Sequence, residues 1–216
     1  DRVANIGGYQ ENFERAIRFT RTCGFDLQQV IWRSGDFIDK QGNCITSALG
    51  SAGINDVSKS AGQCLKWSHY LAPYFEATMG CKVWPTIGQI WKDDNKVFSP
   101  SWLDLRRWAN SGIQLQDFEG RQGMNLHSWL TLETGEIIEP SFLSTLASIY
   151  PKEYGDHNGG LLWGRDPGVL NRHRYFPMAV GREYLEQVSA KSICPLLATN
   201  LNELNNPLAT IVATSF

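Results

Sequence analysis

The sequence predicts an α+β fold with a mainly antiparallel sheet, and three observations support this prediction. Apolar residues recur at helical spacing across residues 64–80, with Gly80 as a favourable helix end. Residues 125–132 alternate between two faces, and a turn signal at 133–136 returns the chain as a partner strand. Of 216 residues, 42% are hydrophobic, which is enough for a sizeable core. We therefore expect residues 1–216 to form one domain with helices packed on hairpin strands.

The N-terminal quarter predicts helices joined by a polar loop. Residues 11–22 carry their apolar side chains on one helical face, and Gly24 is a suitable stop. Residues 27–32 fit either a strand or a continuation turn. Residues 35–55 are rich in Gly, Ser, Asp and Asn, with one short helix predicted at 44–49.

The remaining elements follow from periodicity, turn residues and caps. A long helix begins at Cys64, and we expect Pro73 to bend or split it because proline cannot donate the helical hydrogen bond. The tail from Ala198 has no usable period. The other predicted elements are strands over 81–91 and 96–98, a helix over 102–110 capped by Ser101, a strand over 136–139, a helix over 142–149 capped by Ser141, a loop over 150–171, a strand over 174–180 and a helix over 183–188.

Charge and cysteine usage exclude several classes of protein. The net charge of −2 and the pI of about 6.1 give no sign of a nucleic-acid partner. No run has the apolar length of a membrane span, and no signal-peptide layout is visible. Five widely spaced cysteines without C-x-x-C spacing indicate free thiols rather than disulfides or a zinc site. We expect no metal or cofactor. Free thiols predict a reducing, cytoplasmic location, which a secreted effector would reach after delivery into a cell. The start at Asp1 rather than Met suggests processing or excision from a longer chain.

The candidate site consists of one thiol, one imidazole and one carboxylate. Cys64 lies at the head of its predicted helix, where the positive end of the helix dipole favours thiolate over thiol. His127 lies on a following strand, and Glu139 ends the next one. These three residues in this order are able to form a Cys-His-acid relay, although each residue type taken singly is more often structural.

Other cysteines and histidines of the chain are alternative candidates for this site. Cys44 is the main rival nucleophile because it also lies at a predicted helix start, but that helix is short and no obvious strand follows. His69 lies five positions after Cys64 in the same helix, so we expect it to point away from the thiol. The remaining candidates are Cys23, Cys81 and Cys194, expected to be structural, and His157 and His173, which could rim a cleft.

Four short segments resemble the core of the transglutaminase-like, papain-like cysteine enzyme superfamily. They are G-Q-C ending at Cys64, M-G-C-K-V at 79–83, H-S-W beginning at His127 and E-P-S beginning at Glu139. The resemblance covers roughly residues 58–145 and leaves residues 1–57 and 146–216 without an assigned role. Two departures stand out: Glu139 replaces the usual Asp, and Leu65 replaces an aromatic residue. No calcium-loop signature of the animal transglutaminases is present.

The resemblance implies a papain-like core whose nucleophile helix packs on the sheet, and a catalytic triad. Cys64 would be the nucleophile, His127 its ion-pair partner and proton donor, and Glu139 the acid that orients the imidazole. The implied activity is hydrolysis of a peptide or glutamine side-chain amide through a thioester. Two alternatives remain open: a transglutaminase or acyltransferase with the same triad, and a non-catalytic module that binds a peptide or protein.

Overall fold

The computed structural model describes residues 8–120, 123–166 and 172–206, which form a mixed helix and sheet structure. This confirms the predicted α+β class and the antiparallel sheet. In chain order the elements are α1 (Tyr9–Thr22), α2 (Asn43–Ser51), α3 (Cys64–Met79), β1 (Val83–Lys92), β2 (Asn95–Phe98), α4 (Trp102–Ser111), β3 (His127–Leu132), β4 (Glu136–Glu139), α5 (Phe142–Ile149), α6 (Pro151–Tyr154), β5 (Leu162–Arg165), β6 (His173–Val180), α7 (Arg182–Lys191) and α8 (Leu201–Asn205).

The sheet is built around β1, its longest strand among the described residues. Strands β2-β1-β3-β4-β5 pair antiparallel along one path, and β6 also pairs with β1. Residues 86–88 of β1 pair with both β3 and β6, and residues 90–92 pair with both β2 and β6. Since a strand has only two edges, β6 occupies one edge of β1, while β3 and β2 follow one another along the other. His127, the first residue of β3, therefore lies beside Phe98, the last residue of β2.

The two faces of the sheet are covered by different helices. Trp67 of α3 belongs to the same buried cluster as Leu130 of β3. Phe13 of α1 belongs to the cluster that contains Trp129 of β3. Because neighbouring residues of a strand point to opposite faces, α3 and α1 lie on opposite sides of the sheet. The prediction that the helix beginning at Cys64 packs on the sheet is confirmed, whereas the papain-like arrangement of the core stays a prediction.

Several local predictions were wrong. The predicted loop over 150–171 contains α6 and β5, and β5 is held by pairing with β4, a long-range contact that local sequence cannot reveal. Of the two outcomes predicted at Pro73, the split does not occur: α3 runs unbroken from Cys64 to Met79, and the buried residues Leu71 and Phe75 anchor it on both sides of the proline. The Ser141 side chain makes no cap hydrogen bond. Residues 27–32 form no regular element, and residues 167–171 of that loop lie outside the described residues.

Candidate active site

Cys64 is the first residue of α3, and the chain reaches it through a left-handed turn at Gly62. Gln63 has non-helical backbone angles and no side-chain cap bond to the helix; its amide Nε2 instead donates to the Lys59 carbonyl at 2.8 Å. The first-turn N–H groups of α3 thus have no capping side chain. The Gly62 N–H donates to Thr145 Oγ1 at 3.0 Å, which fixes this turn against α5. The Cys64 residue is 8% exposed.

His127 and Glu139 form a buried hydrogen-bonded pair. The distance from His127 Nε2 to Glu139 Oε2 is 2.7 Å, and each residue is 1% exposed. Continuing the β3–β4 register places Glu139 opposite Trp129, so His127 is its diagonal neighbour on the same sheet face. The second carboxylate oxygen of Glu139 accepts the Ser141 N–H at 3.3 Å. The Glu139 side chain is therefore fixed at both oxygens.

The structure also brings Cys64 to this pair. Burial on its own would lower the pKa of His127, but attraction to Glu139 and a hydrogen bond with Cys64 raise that pKa to about 10. With Nε2 bonded to Glu139, Nδ1 is the ring nitrogen left for the Cys64 side chain. All three residues predicted from the sequence thus meet at one place. The raised pKa of His127 favours the charged imidazolium form of the ring beside Glu139 and Cys64.

Three aromatic rings enclose the His127 imidazole. Phe98 of β2 stacks on it with ring centroids 5.0 Å apart and planes 23° apart. Trp129, two residues along β3 and on the same face, stacks with ring centroids 6.4 Å apart, and Phe142 meets the imidazole at 5.3 Å and 62°. This enclosure fixes the ring plane and excludes water, which strengthens the interactions of its charge. Phe98 and Phe142 are not among the site residues predicted from the sequence; the position of Phe142 directly after the E-P-S segment is the signal that could have indicated it.

A glycine of β1 makes room for this arrangement. Gly88 pairs directly with His127, and a Cβ atom there would lie 2.0 Å from the Phe176 carbonyl oxygen. The same Cβ would lie 2.9 Å from the Trp129 ring. No other residue fits between β3 and β6 at this point without displacing the backbone. Gly88 therefore allows the indole beside His127 to lie flat on the sheet.

The other four cysteines lack the surroundings of Cys64. Burial raises the pKa of Cys23, Cys44 and Cys194, and it raises that of Cys81 to about 11. All five cysteines are free thiols. Cys44 does lie in the first turn of α2, but its thiol donates to the Phe37 carbonyl at 3.9 Å. Cys64 thus interacts with an imidazole, whereas the Cys44 thiol bonds to a backbone carbonyl.

The remaining histidines lie outside the triad. His69 is buried in α3, with Nε2 2.8 Å from Glu186 Oε1, and burial lowers its pKa. His157 lies in a short 3₁₀ turn beside Tyr154. His173 packs edge-on against Phe142 at 5.4 Å and lines a cleft, as its predicted rim position suggested.

An open cleft of about 640 Å³ adjoins the triad. Its walls include Phe98 and Phe142, which contact the His127 ring, and Thr145, which binds the Gly62 N–H. The cleft thus shares residues with both the imidazole and the turn before Cys64. A volume in this range is typical of small-molecule and peptide side-chain sites.

Comparison of the chain with protein-family models, curated proteins and solved structures finds no match. The superfamily resemblance therefore stays a prediction. In the described ranges, no three His, Cys, Asp or Glu side chains are grouped so that they could hold a metal ion. No helix of the described part of the chain is long and apolar enough to cross a membrane.

Proposed function

We propose that this protein is a cysteine-dependent enzyme that acts on amide bonds through a thioester acyl-enzyme. The observation that carries the proposal is the buried His127–Glu139 hydrogen bond beside the Cys64 thiol, at a helix N-terminus with no side-chain cap. A charged imidazolium and a helix dipole both stabilise a thiolate. This combination is the requirement for an activated cysteine nucleophile.

In the first half-reaction, the Cys64 thiolate attacks the carbonyl carbon of the amide. The carbonyl oxygen becomes an oxyanion, and the free backbone N–H groups in the first turn of α3 face the developing charge. His127 then donates its proton to the leaving nitrogen as the C–N bond breaks. The products are an amine and a thioester on Cys64, and His127 is left neutral.

In the second half-reaction, neutral His127 takes a proton from water as the water attacks the thioester carbonyl. The C–S bond breaks, the acid leaves, and the thiolate–imidazolium pair is restored. Glu139 holds the ring orientation through both steps and stabilises the imidazolium whenever it forms. Glutamate performs the role usually given to aspartate, because the strand register brings its longer side chain within 2.7 Å of Nε2.

Hydrolysis is the outcome we favour, because water needs no second binding site. An amine acceptor would use the same first half-reaction, so transglutamination or another acyl transfer is the alternative for this triad. The substrate class is a protein or peptide carrying the amide. A non-catalytic binding module is the second candidate, and the observation that favours it is the low exposure of Cys64 and His127, 8% and 1%.

Thiol alkylation tests the proposal. Iodoacetamide at pH 6 is expected to label Cys64 about 100-fold faster than Cys44, because only an ion-paired thiolate reacts quickly there. Mass spectrometry of the digested protein assigns the label to each cysteine. The Cys64→Ser variant is expected to lose the fast phase, and the Cys44→Ser variant is the matched control that keeps it. Equal, slow labelling of both cysteines at pH 6 would refute the enzyme and favour the binding module.

A further inference from the structure

The cleft beside the triad combines an aromatic wall with two basic side chains. Its apolar side is formed by rings and aliphatic groups from β2, α5 and α6, including Phe98, Phe142 and Tyr154. Ile149 also lines it and is 54% exposed, an unusual position for a large aliphatic side chain. An apolar surface left open to solvent within a concave site is suited to a hydrophobic side chain of a ligand.

The basic side chains of the cleft come from the β1–β2 hairpin. Lys92 ends β1 and Lys96 lies in β2, so both border the cleft from the β1–β2 hairpin. Among the described residues, neither lysine takes part in a salt bridge; Lys96 lies 5.7 Å from the Trp91 ring centroid. The acidic neighbour Asp93 is already paired with Arg172. Two lysines that form no salt bridge within the described part of the chain attract a negatively charged group.

One carboxylate also lines the cleft, and it belongs to a different element. Glu153 lies in α6, whereas both lysines lie in the β1–β2 hairpin. The lining of the cleft therefore carries two lysines and one glutamate beside its aromatic rings. A ligand that matches this lining carries an apolar ring and a carboxylate next to each other.

We propose that this cleft binds the substrate on one side of the reacting amide and selects an aromatic residue adjacent to an acidic one. This inference rests on the proposed function, because it assigns the cleft to the substrate of Cys64. The aromatic side chain packs on Phe142 and Ile149, and the carboxylate of its neighbour pairs with Lys92 and Lys96. The contact of Phe98 and Phe142 with the His127 ring places the bound segment beside the imidazole.

Active-site-directed alkylation tests this specificity. The probes are acetylated dipeptidyl chloromethyl ketones that contain Phe and Glu in either order, with matched reagents in which Lys replaces Glu or Gly replaces Phe. Of the Phe-Glu and Glu-Phe reagents, the one that reacts more quickly is expected to alkylate Cys64 about 10-fold faster than the matched reagent with Lys in place of Glu or Gly in place of Phe. Equal rates for all reagents in the wild-type protein would overturn the proposal.

Variants of the lining residues test which side chains cause the preference for Glu and which cause the preference for Phe. Lys92→Gln combined with Lys96→Gln is expected to bring the Glu and Lys reagents to about equal rates, whereas Lys82→Gln leaves the preference unchanged. Lys82 is the matched control because it is an exposed lysine paired with Glu76, outside the residues that line the cleft. The substitution Ile149→Asp, at an exposed position, is expected to remove most of the preference for Phe over Gly. A Glu preference that survives in the double lysine variant would overturn the assignment.

Two further measurements separate this proposal from the proposed function. Iodoacetamide is too small to occupy the cleft, so its rate at Cys64 reports the thiolate alone. Fast iodoacetamide labelling without any preference among the peptide reagents would refute the substrate-binding role of the cleft and would still support the proposed enzyme. Binding of the acetyl-Phe-Glu amide to the Cys64→Ala variant, followed by calorimetry, reports the cleft alone. Lysine-dependent binding together with slow iodoacetamide labelling supports the cleft as a peptide site and refutes the enzyme.

Discussion

Two helices of this protein carry a cysteine in their first turn, and their surroundings differ. The N-terminus of α2 lies against the Asp39 carboxylate, which accepts the N–H groups of Gln41, Asn43 and Cys44 at 3.0, 3.1 and 3.2 Å. The N-terminus of α3 has no capping side chain, and Cys64 there meets an imidazolium. Both cysteines lie at the positive end of a helix dipole, but at α2 the Asp39 carboxylate already accepts the free N–H groups.

The difference predicts that a helix N-terminus alone does not activate a thiol. Burial, together with the charge and hydrogen bond of the Asp39 side chain, raises the pKa of Cys44. Hydrogen bonds from Asn43, Cys44 and Gln41 lower the pKa of Asp39, so this acid stays charged beside the thiol. At α3 the neighbouring charge is positive and is held in place by Glu139. The sign of the nearest charge therefore separates the two cysteines.

Removal of the imidazolium is the strongest way to break this contrast. In a His127→Gln variant, we expect alkylation of Cys64 by iodoacetamide at pH 6 to fall by about 100-fold, toward the rate of Cys44. The physical reason is that the thiolate loses its ion-pair partner. A His69→Gln variant is the matched control, since His69 is also buried and hydrogen-bonded to a glutamate. Unchanged labelling in His127→Gln would show that the helix terminus alone activates Cys64.

Neutralising Glu139 tests the same pair through stability and is expected to have the second largest effect. The folded-state pKa of His127, about 10, lies above the unfolded value of about 6.5, so proton uptake favours the folded state. This contribution is fully present below about pH 6.5 and is lost as the pH rises through about 10. The Glu139→Gln variant is expected to lack it. The free energy of unfolding of the variant should be lower than that of the wild type by roughly 2–4 kcal/mol at pH 6, and by less at pH 10.

Urea unfolding of both proteins at pH 6, 8 and 10 measures this difference. A second readout is Cys64 alkylation across the same range, where the variant is expected to lose the fast reaction at lower pH than the wild type. A stability difference that stays constant from pH 6 to pH 10 would mean that Glu139 supports the fold without holding the proton of His127.

The contrast between the two helices was only partly predictable from the sequence. Helical periodicity, the strand alternation and the turn at 133–136 located Cys64, His127 and Glu139 on the correct elements. The order of the two β-strands then placed the histidine and the acid on one sheet face. Their meeting with the thiol depends on how α3 packs against β3, a contact between distant segments that periodicity does not encode.

The enclosure of the site was not predictable for the same reason. Phe98 reaches the His127 ring because β2 and β3 follow one another along the edge of β1, and this requires the pairing register. Strand β5 was missed because only its pairing with β4 holds four residues extended inside a Gly-rich region. Asp39 lies in the segment predicted as a polar loop, and its hydrogen bonds define the start of α2. Local patterns thus predicted the elements, and long-range contacts decided the chemistry.

The smallest expected effect comes from the Asp39→Asn variant. Removing the carboxylate charge is expected to raise the alkylation rate of Cys44 at pH 8 by about two- to five-fold, because the thiolate no longer faces an anion. Burial still raises the pKa of Cys44, so its rate should stay far below that of Cys64. The matched control is Asp36→Asn, an exposed acid paired with Arg165 instead of α2. A Cys44 that became as reactive as Cys64 would contradict the comparison, because freeing a helix terminus would then suffice without any imidazolium.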